Sequence, residues 1–373
     1  MSATTEAIDR CVNCGLCRRS CPLSDGWEPR GEVATPRGKI TILREMLAGR
    51  LEPDDTGAGE FWYRCTLCAQ CQLDCPAPVP LVDLVAAARS HLLERGKVPS
   101  GAGSVLRRLR LYGNPWGRPA DERNPAAGAG TRRPGETDAV LYLGCLAGYD
   151  RRIAQAANAL VEVLVAAGLD FALLGKEERC CGGEAYALGE EALFDSMLEA
   201  NLAVFSRHGI RRIIAFCPHC YHTLKTLYPR HLDVRHYTEV LADLLPGGLA
   251  PLRAGPPRKV AYHDPCHLGR RHGLYRPPRA ILGSLPAVSL LAMEAEGERA
   301  LCCEAGGGRM WYDPPRGRSG LASRIADNAR RAGAEVLAVA CPFCLSALEP
   351  EAKERGLAVL DVAEMARSCL GRV

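Results

Sequence analysis

The segment EANLAVFSRHGIRRIIAFCPHC (residues 199–220) carries the features that decide the fold. Its apolar residues recur at helical spacing up to a glycine, a typical helix stop, and a short apolar run then leads into the pair CPHC. The segment RIADNARRAGAEVLAVACPFC (residues 324–344) repeats this order and ends on a second pair, CPFC. Because open α/β sheets bind ligands at the carboxyl ends of their strands, the sequence predicts two duplicated α/β domains with cysteines at a sheet edge.

A Cys-x-x-Cys pair alone fits the redox pair of a thiol–disulfide oxidoreductase, half of a zinc site, or half of an iron–sulfur site. Upstream of each pair, a single cysteine follows a β-rich run, and a cysteine doublet follows after 34 and 35 intervening residues. Zinc takes four ligands and explains neither the doublet nor a fifth thiol, so five cysteines in this pattern suggest an unusual ligand demand. The two sets are Cys145, Cys180, Cys181, Cys217 and Cys220, and Cys266, Cys302, Cys303, Cys341 and Cys344.

Two further runs, CVNCGLCRRSCP (residues 11–22) and CTLCAQCQLDCP (residues 65–76), both fit C-x2-C-x2-C-x3-C-P, the bacterial ferredoxin pattern. In that pattern the fourth cysteine ligates the other cluster, whereas a zinc ribbon would leave half of the eight thiols unexplained. Helices are expected between the runs and over residues 81–97, the latter ending at Gly96. The predicted ligands are Cys11, Cys14, Cys17 and Cys75 for one 4Fe-4S cluster, and Cys65, Cys68, Cys71 and Cys21 for the other.

The composition excludes several classes of protein. The chain has 373 residues with 19 cysteines, a net charge of +4 and 47% hydrophobic residues, which gives no reason to expect nucleic acid. Its first residues lack the layout of a secretory signal, and no apolar stretch suits a membrane span, so we expect a soluble, cytoplasmic protein without disulfides. The one cysteine outside the four groups, Cys369, is expected to be a buried free thiol.

The patterns C-x34-CCG-x34-CPHC and its partner resemble the cysteine-rich CCG domain of heterodisulfide reductase subunits. The order of a helical ferredoxin domain and two such domains is similar to the D-type subunit of heterodisulfide reductase and to the iron–sulfur subunits of glycolate oxidase and anaerobic glycerol-3-phosphate dehydrogenase. The resemblance implies an α-helical domain (1–100), a linker (101–137) and two α/β CCG domains (138–256 and 257–373) related by a pseudo-twofold axis. It also implies two cubane 4Fe-4S clusters and, in the CCG domains, two non-cubane 4Fe-4S clusters, although the spacing leaves cubanes open there.

The function implied by this resemblance is that of an iron–sulfur oxidoreductase subunit within a hetero-oligomer. It would pass electrons between a flavoprotein (a D-2-hydroxyacid dehydrogenase or an electron-transferring flavoprotein) and a disulfide or a quinone reached through a membrane quinone- or haem-binding subunit. The alternative is a catalytic subunit that cleaves a disulfide between the two CCG clusters. A zinc or structural protein is a third possibility. No G-x-G-x-x-G fingerprint is present, so neither flavin nor nicotinamide is expected on this chain.

Three residues outside the cysteines are candidate catalytic groups: Glu304, His263 and His267. Glu304 stands where the family has glycine, and if that glycine has positive φ, we expect residues 306–308 to take over the role. The histidines flank Cys266 and would tune a cluster or move a proton, with a structural role as the alternative. The arginine-rich segment 267–279 is predicted to be a solvated loop, with anion binding as the alternative.

Overall fold

The computed structural model describes residues 2–24, 31–51, 58–124, 130–244, 257–313 and 320–370. Its first part is helical, as predicted. The helices are α1 (Ser2–Asp9), α2 (Leu16–Ser20), α3 (Pro36–Leu47), α4 (Ala58–Tyr63), α5 (Gln70–Leu73), α6 (Leu81–Glu94) and α7 (Ser100–Tyr112).

Local signals set the ends of the long helices in this part. Thr35 caps α3 by accepting a hydrogen bond from the Gly38 amide, and Pro36 occupies the first helical position, where its missing N–H costs nothing. Helix α6 ends just before Gly96, whose φ of 69° stops the helix as predicted. The buried faces of these helices form one continuous core with the rest of the chain.

The first α/β part has a parallel sheet in the order β1-β2-β3. The helix, glycine and strand predicted upstream of CPHC are all present, with Gly209 at a φ of 64°. Its elements are β1 (Ala139–Tyr142), α8 (Gly144–Tyr149), α9 (Arg151–Ala166), α10 (Gly183–Ala187), α11 (Glu191–Arg207), β2 (Arg212–Ala215), α12 (Pro218–Thr226), β3 (Asp233–His236) and α13 (Tyr237–Leu244).

The second α/β part has the parallel order β5-β4-β6-β7. In the first part, the place beside β1 holds an isolated parallel bridge between Val140 and Ala172, where the second part has the strand β5 beside β4. The pseudo-twofold axis remains a prediction. The elements are β4 (Arg258–Tyr262), α14 (Gly269–His272), α15 (Arg276–Ser284), β5 (Val288–Leu291), α16 (Leu321–Arg331), β6 (Val336–Val339), α17 (Pro342–Glu354), β7 (Ala358–Asp361) and α18 (Val362–Ser368).

The range 101–137, predicted as a linker, differs from that expectation. Its first twelve residues belong to α7, which buries Val105 and Leu109, and Arg123 is buried in an ion pair with Glu178. The prediction relied on the prolines and glycines after residue 112 and missed the helical spacing of apolar residues before it. Residues 125–129 of this range, and residues 245–256 before the predicted boundary at 256, lie outside the described residues.

The helical part and both α/β parts meet around one buried guanidinium, that of Arg89 in α6. It donates to the carbonyl oxygens of Trp62 (2.8 Å) and Cys65 (2.6 Å) in the helical part. It also donates to those of Ala187 (2.6 Å) in the first α/β part and Gly307 (3.1 Å) in the second. The three parts therefore share a single packed junction.

Two expectations concern the chain as a whole. Cys369 is a buried free thiol, as predicted. Over the ranges that the structure describes, no helix is both long and apolar enough to cross a membrane.

The close packing at this junction can be tested at Gly189, which has a φ of 92°. A Cβ at Gly189 would lie 2.4 Å from the Ser90 nitrogen, whereas a Cβ at Gly209, also at positive φ, would have no atom within 4 Å. We expect Gly209→Ala to lower the free energy of unfolding by about 1 kcal/mol and Gly189→Ala by about 3 kcal/mol, because only the latter adds a backbone clash. Urea unfolding under anaerobic conditions measures both variants. Equal losses in the free energy of unfolding would contradict the close packing of Gly189 against the Ser90 backbone.

Candidate metal centres

The two ferredoxin-type runs share an unusual backbone conformation. In each run the residues on either side of the second cysteine have positive φ. They are Asn13 (56°) and Gly15 (78°) in the first run, and Leu67 (56°) and Ala69 (60°) in the second. For non-glycine residues this conformation costs about 1–2 kcal/mol each and persists only where the surroundings impose it. The sequence repeat is therefore also a repeat of backbone geometry, in which each run curls around the space that its thiols line.

Each run closes a small cavity with the fourth cysteine of the other run. The cavities measure about 20 and 30 Å³, and Cys71 lies between them because it lines both. The structure thus brings each predicted ligand set together, while the ligation itself remains a prediction. The first cavity is lined by Cys11, Cys14, Cys17, Cys71 and Cys75, and the second by Cys21, Cys65, Cys68 and Cys71.

Each cavity is lined by several thiols, the donor set that iron–sulfur clusters take. Burial, followed by the neighbouring thiols, raises the pKa of Cys17 to about 11, and burial with Cys68 raises the pKa of Cys21 to about 11. Such thiols become thiolates when a cation binds beside them. Among the described residues, no three His, Cys, Asp or Glu side chains converge on the position of a single metal ion, and the sulfurs line cavity walls instead.

The first five-cysteine set lies at the carboxyl edge of its sheet, as predicted. Cys145 lies in α8 just after β1, and Cys217 caps α12 just after β2. Gly144 has a φ of 82°, and a Cβ there would lie 3.1 Å from Cys220 Sγ. The turn that presents these thiols therefore requires glycine. All five cysteines of the set line a cavity of about 210 Å³, called the large cavity below because it far exceeds the two ferredoxin-type cavities.

A buried ion pair holds the backbone of this turn. Glu178 accepts hydrogen bonds from the amides of Leu143 (2.9 Å) and Gly144 (2.8 Å), and Arg123 donates to the Gly144 carbonyl (2.9 Å). Burial raises the pKa of Glu178, while Arg123 acts in the opposite direction. Arg123 comes from the predicted linker, so that segment positions the residues just before Cys145 rather than merely connecting domains.

The second five-cysteine set is buried against the second ferredoxin-type run. Its Cys303 and Cys344 sulfurs lie 3.3 Å apart. Cys302 Sγ lies 3.4 Å from Thr66 Oγ1 and also hydrogen-bonds the Cys68 thiol, which, together with burial, raises the pKa of Cys68 well above its usual range. A predicted cubane ligand and a predicted CCG ligand are therefore in direct contact.

The two five-cysteine sets also touch each other. The thiols of Cys217 and Cys341, which begin the CPHC and CPFC motifs, hydrogen-bond with one another. The sites thus adjoin one another in the order first ferredoxin-type run, second ferredoxin-type run, second α/β part and first α/β part. Cys71 lines the cavities of both runs, and contacts between thiols make the other two connections. This order differs from the order of the domains along the chain.

Glu304 adopts a φ of 67°, matching the 81° of Gly182 at the equivalent position of the first copy. Gly307 (65°) and Gly308 (88°) also have positive φ, as expected for residues 306–308, but they do not replace this conformation at residue 304, because Glu304 itself retains it. Its carboxylate pairs with buried Arg309 (3.1 Å) and accepts a hydrogen bond from the Leu321 amide (3.0 Å). These contacts explain how the fold holds a glutamate in a conformation that favours glycine.

The two candidate histidines lie at the same second set. His263 is buried and hydrogen-bonds the Cys303 thiol, and His267 Nδ1 lies 3.4 Å from Cys266 Sγ. The His267 ring stacks on that of His219, with centroids 3.8 Å apart, at the wall of the large cavity. All three candidate catalytic residues therefore adjoin the second set, and their catalytic roles remain predictions.

The arginine-rich segment 267–279 is not a solvated loop at its first two arginines. Arg270 donates to the Cys68 carbonyl (2.8 Å), and Arg271 donates to the Leu67 carbonyl (2.8 Å). These bonds span about two hundred residues of sequence, so no local signal could have revealed them. Sequence reasoning also missed Glu184, which is buried at the large cavity, where burial, followed by Cys181 and Cys217, raises its pKa to about 8.

The comparisons with known families match the domain order. The 4Fe-4S dicluster domain matches residues 7–79, and the cysteine-rich domain named CCG matches twice, over residues 139–225 and 260–349. Together these three matched ranges contain all four groups of cysteines described above.

Curated relatives align over nearly the whole chain. It is 31% identical, over 98% of its length, to 94% of the D-type subunit of a dihydromethanophenazine:CoB–CoM heterodisulfide reductase of Methanosarcina barkeri. It is 30% identical to the probable iron-sulfur-binding oxidoreductase FadF of Bacillus subtilis and 30% identical to an EtfAB:quinone oxidoreductase of Syntrophomonas wolfei, over 97% and 96% of this chain. The chain spans 60% and 57% of the length of these last two proteins.

The crossed ligand sets of the two runs can be tested with single substitutions. We expect Cys75→Ser to abolish or alter the EPR signal of the first ferredoxin site and Cys21→Ser that of the second, with up to one cluster's iron lost in each. Iron and acid-labile sulfide assays with EPR of the dithionite-reduced protein measure this, and Cys369→Ser is the control that leaves both unchanged. Damage to the first site by Cys21→Ser and to the second site by Cys75→Ser would contradict the crossing.

The Glu304–Arg309 pair gives a second prediction. Glu304→Gly relieves about 1 kcal/mol of backbone cost but breaks a buried ion pair, a loss of about 3–5 kcal/mol, so we expect the free energy of unfolding to fall by about 2–4 kcal/mol. Glu304→Gln retains an oxygen that can accept the hydrogen bond from the Leu321 amide, so we expect its free energy of unfolding to fall less. Anaerobic urea unfolding compares the three proteins, and a Glu304→Gly variant more stable than the parent would show that backbone strain outweighs the pair.

Proposed function

The chain belongs to the iron–sulfur oxidoreductase subunits that join a 4Fe-4S dicluster domain to two cysteine-rich CCG domains, and on that premise we propose that it is the electron-transfer subunit of an oxidoreductase complex. It exchanges electrons with a flavoprotein of the D-2-hydroxyacid dehydrogenase or electron-transferring flavoprotein type. The acceptor is a disulfide, or a quinone that is reached through a membrane partner. The complex is cytoplasmic and bound peripherally to the membrane through that partner. The relative named EtfAB:quinone oxidoreductase supports the flavoprotein and quinone assignments.

The observation that carries this proposal is that each cysteine site adjoins the next. Cys71 lines both ferredoxin-type cavities, Cys68 meets Cys302, and Cys217 meets Cys341. Two cubane and two non-cubane 4Fe-4S clusters bound to these sites would supply one-electron oxidation and reduction. The chain's own contribution is to hold successive sites in contact and to exclude water, since the ten CCG cysteines are buried.

A second candidate function is cleavage of a disulfide between the two CCG sites. The contact of Cys217 with Cys341 favours this function, because the contact joins the two CCG sites directly. The 31% sequence identity with the D-type heterodisulfide reductase subunit, over almost the full length of that subunit, favours it as well. Such a reaction takes up two electrons and two protons and gives two thiols. The two candidate functions differ in whether the reduced protein reacts with a disulfide without a partner.

The order of the series can be tested with Cys302→Ser in the cluster-loaded protein. We expect a reduced flavoprotein partner, identified by co-purification, to reduce the two ferredoxin sites still, while reduction of the first CCG site slows at least tenfold because the connecting site is damaged. Freeze-quench EPR follows each site, and Cys369→Ser is the matched control. Unchanged reduction of the first CCG site would contradict the series, whereas oxidation by a disulfide alone would favour cleavage.

A further inference from the structure

The two five-cysteine sets differ in their access to open space. The cavity lined by the first set measures about 210 Å³, against about 30 and 20 Å³ at the two ferredoxin-type sites. The cysteines of the second set line none of these three cavities, and all are buried within the described part of the chain. The space at the first set is therefore several times that at either predicted cubane site, which leaves room for a ligand beside a cluster.

The walls of this larger space are rich in flat rings. The His219 ring is stacked between those of His267 (3.8 Å) and Phe343 (3.9 Å), and Trp311 meets Phe343 edge-on at 6.0 Å. Apolar side chains from the helical part complete the wall, among them Val82 and Ala86 of α6. Parallel and edge-on aromatic walls of this kind favour a flat, conjugated ligand.

Arg271, which lines this cavity, has a hydrogen-bond donor without a partner. Two nitrogens of Arg271 are engaged, because Nη1 donates to His222 Nε2 (3.1 Å) and Nη2 donates to the Leu67 carbonyl (2.8 Å). The third, Nε, is buried and has no hydrogen-bond partner among the described residues. A buried N–H without a partner is costly, and a ligand oxygen that accepts from it removes that cost.

We propose that this cavity binds a small planar molecule with conjugated carbonyl oxygens, a quinone head group being the type, so that one carbonyl accepts from Arg271 Nε while the ring packs among the aromatic walls. The second set is then an internal relay, closed by the Glu304–Arg309 pair and by the second ferredoxin-type run. This inference rests on the proposed function, in which a reduced flavoprotein supplies the electrons. Reduction of the bound quinone to hydroquinone consumes two of them and two protons from solvent.

The test is calorimetric titration of the oxidised, cluster-loaded protein with duroquinone, whose fully substituted ring does not add to thiols. Ala86→Leu fills the cavity from α6, whereas Ala87→Leu places the same side chain on the exposed side of that helix. We expect Ala86→Leu to weaken binding at least tenfold and Ala87→Leu to leave it unchanged. Arg271→Lys keeps the charge but removes Nε–H together with the bonds to His222 and Leu67, so we expect it to weaken binding at least tenfold.

Each outcome decides the matter. Failure of duroquinone to bind the parent protein, or equal binding by the two alanine variants, overturns the inference. So does displacement of duroquinone by a disulfide with higher affinity. Iron content and EPR of each variant establish that the clusters are intact. Electron transfer from the flavoprotein to the ferredoxin sites is measured in the same samples. If this transfer is absent while duroquinone still binds, the proposed function is contradicted and the inference that the cavity binds a quinone is not.

Discussion

One buried cation determines the relative position of all the cysteine sites. The Arg89 guanidinium donates to carbonyl oxygens from the helical part and from both α/β parts. A buried charge is tolerated only when its hydrogen bonds are made, and so the three parts must stay in register for the fold to be stable. One of the acceptors is the carbonyl of Cys65, a predicted cluster ligand, and another, Gly307, lies in the loop that follows the second cysteine doublet. The interaction that secures the fold therefore also fixes the contact between sites.

Within that frame the two duplicated copies have become unequal. At equivalent positions after the doublet, Gly182 and Glu304 both have positive φ, but only the glutamate reaches a buried arginine. Through Arg309, which donates to the Arg64 carbonyl at 3.1 Å, the second copy is tied to the residue just before Cys65. The first copy instead opens onto the large cavity. A duplication that began with two equivalent sites has thus given one site that faces a neighbouring domain and one that faces a space of ligand size.

The sequence was sufficient for features that depend on local pattern. The helix, Gly209, strand and CPHC order follows from helical spacing, a stop residue and a β-rich run, all within about twenty residues. Features decided by distant contacts could not be predicted in this way. The prolines and glycines after residue 112 suggested a linker, but Arg123 finds Glu178 only in the folded chain. Likewise, Arg270 resembles a surface residue until the carbonyl of Cys68 is brought beside it.

The histidines at the cavity show how such distant contacts set chemical roles. A guanidinium can only donate, so the bond from Arg271 Nη1 requires His222 Nε2 to accept, which leaves the ring proton on Nδ1. That proton is then donated to His272 Nε2 at 3.0 Å, and burial, followed by the charge of Arg271, lowers the pKa of His222 to about 2. His222 is therefore a neutral, oriented group that holds the arginine in place. The same arginine bonds the carbonyl of Leu67, beside a predicted ligand of the second ferredoxin site, so the cavity wall and the backbone of the second ferredoxin-type run are parts of one hydrogen-bonded unit.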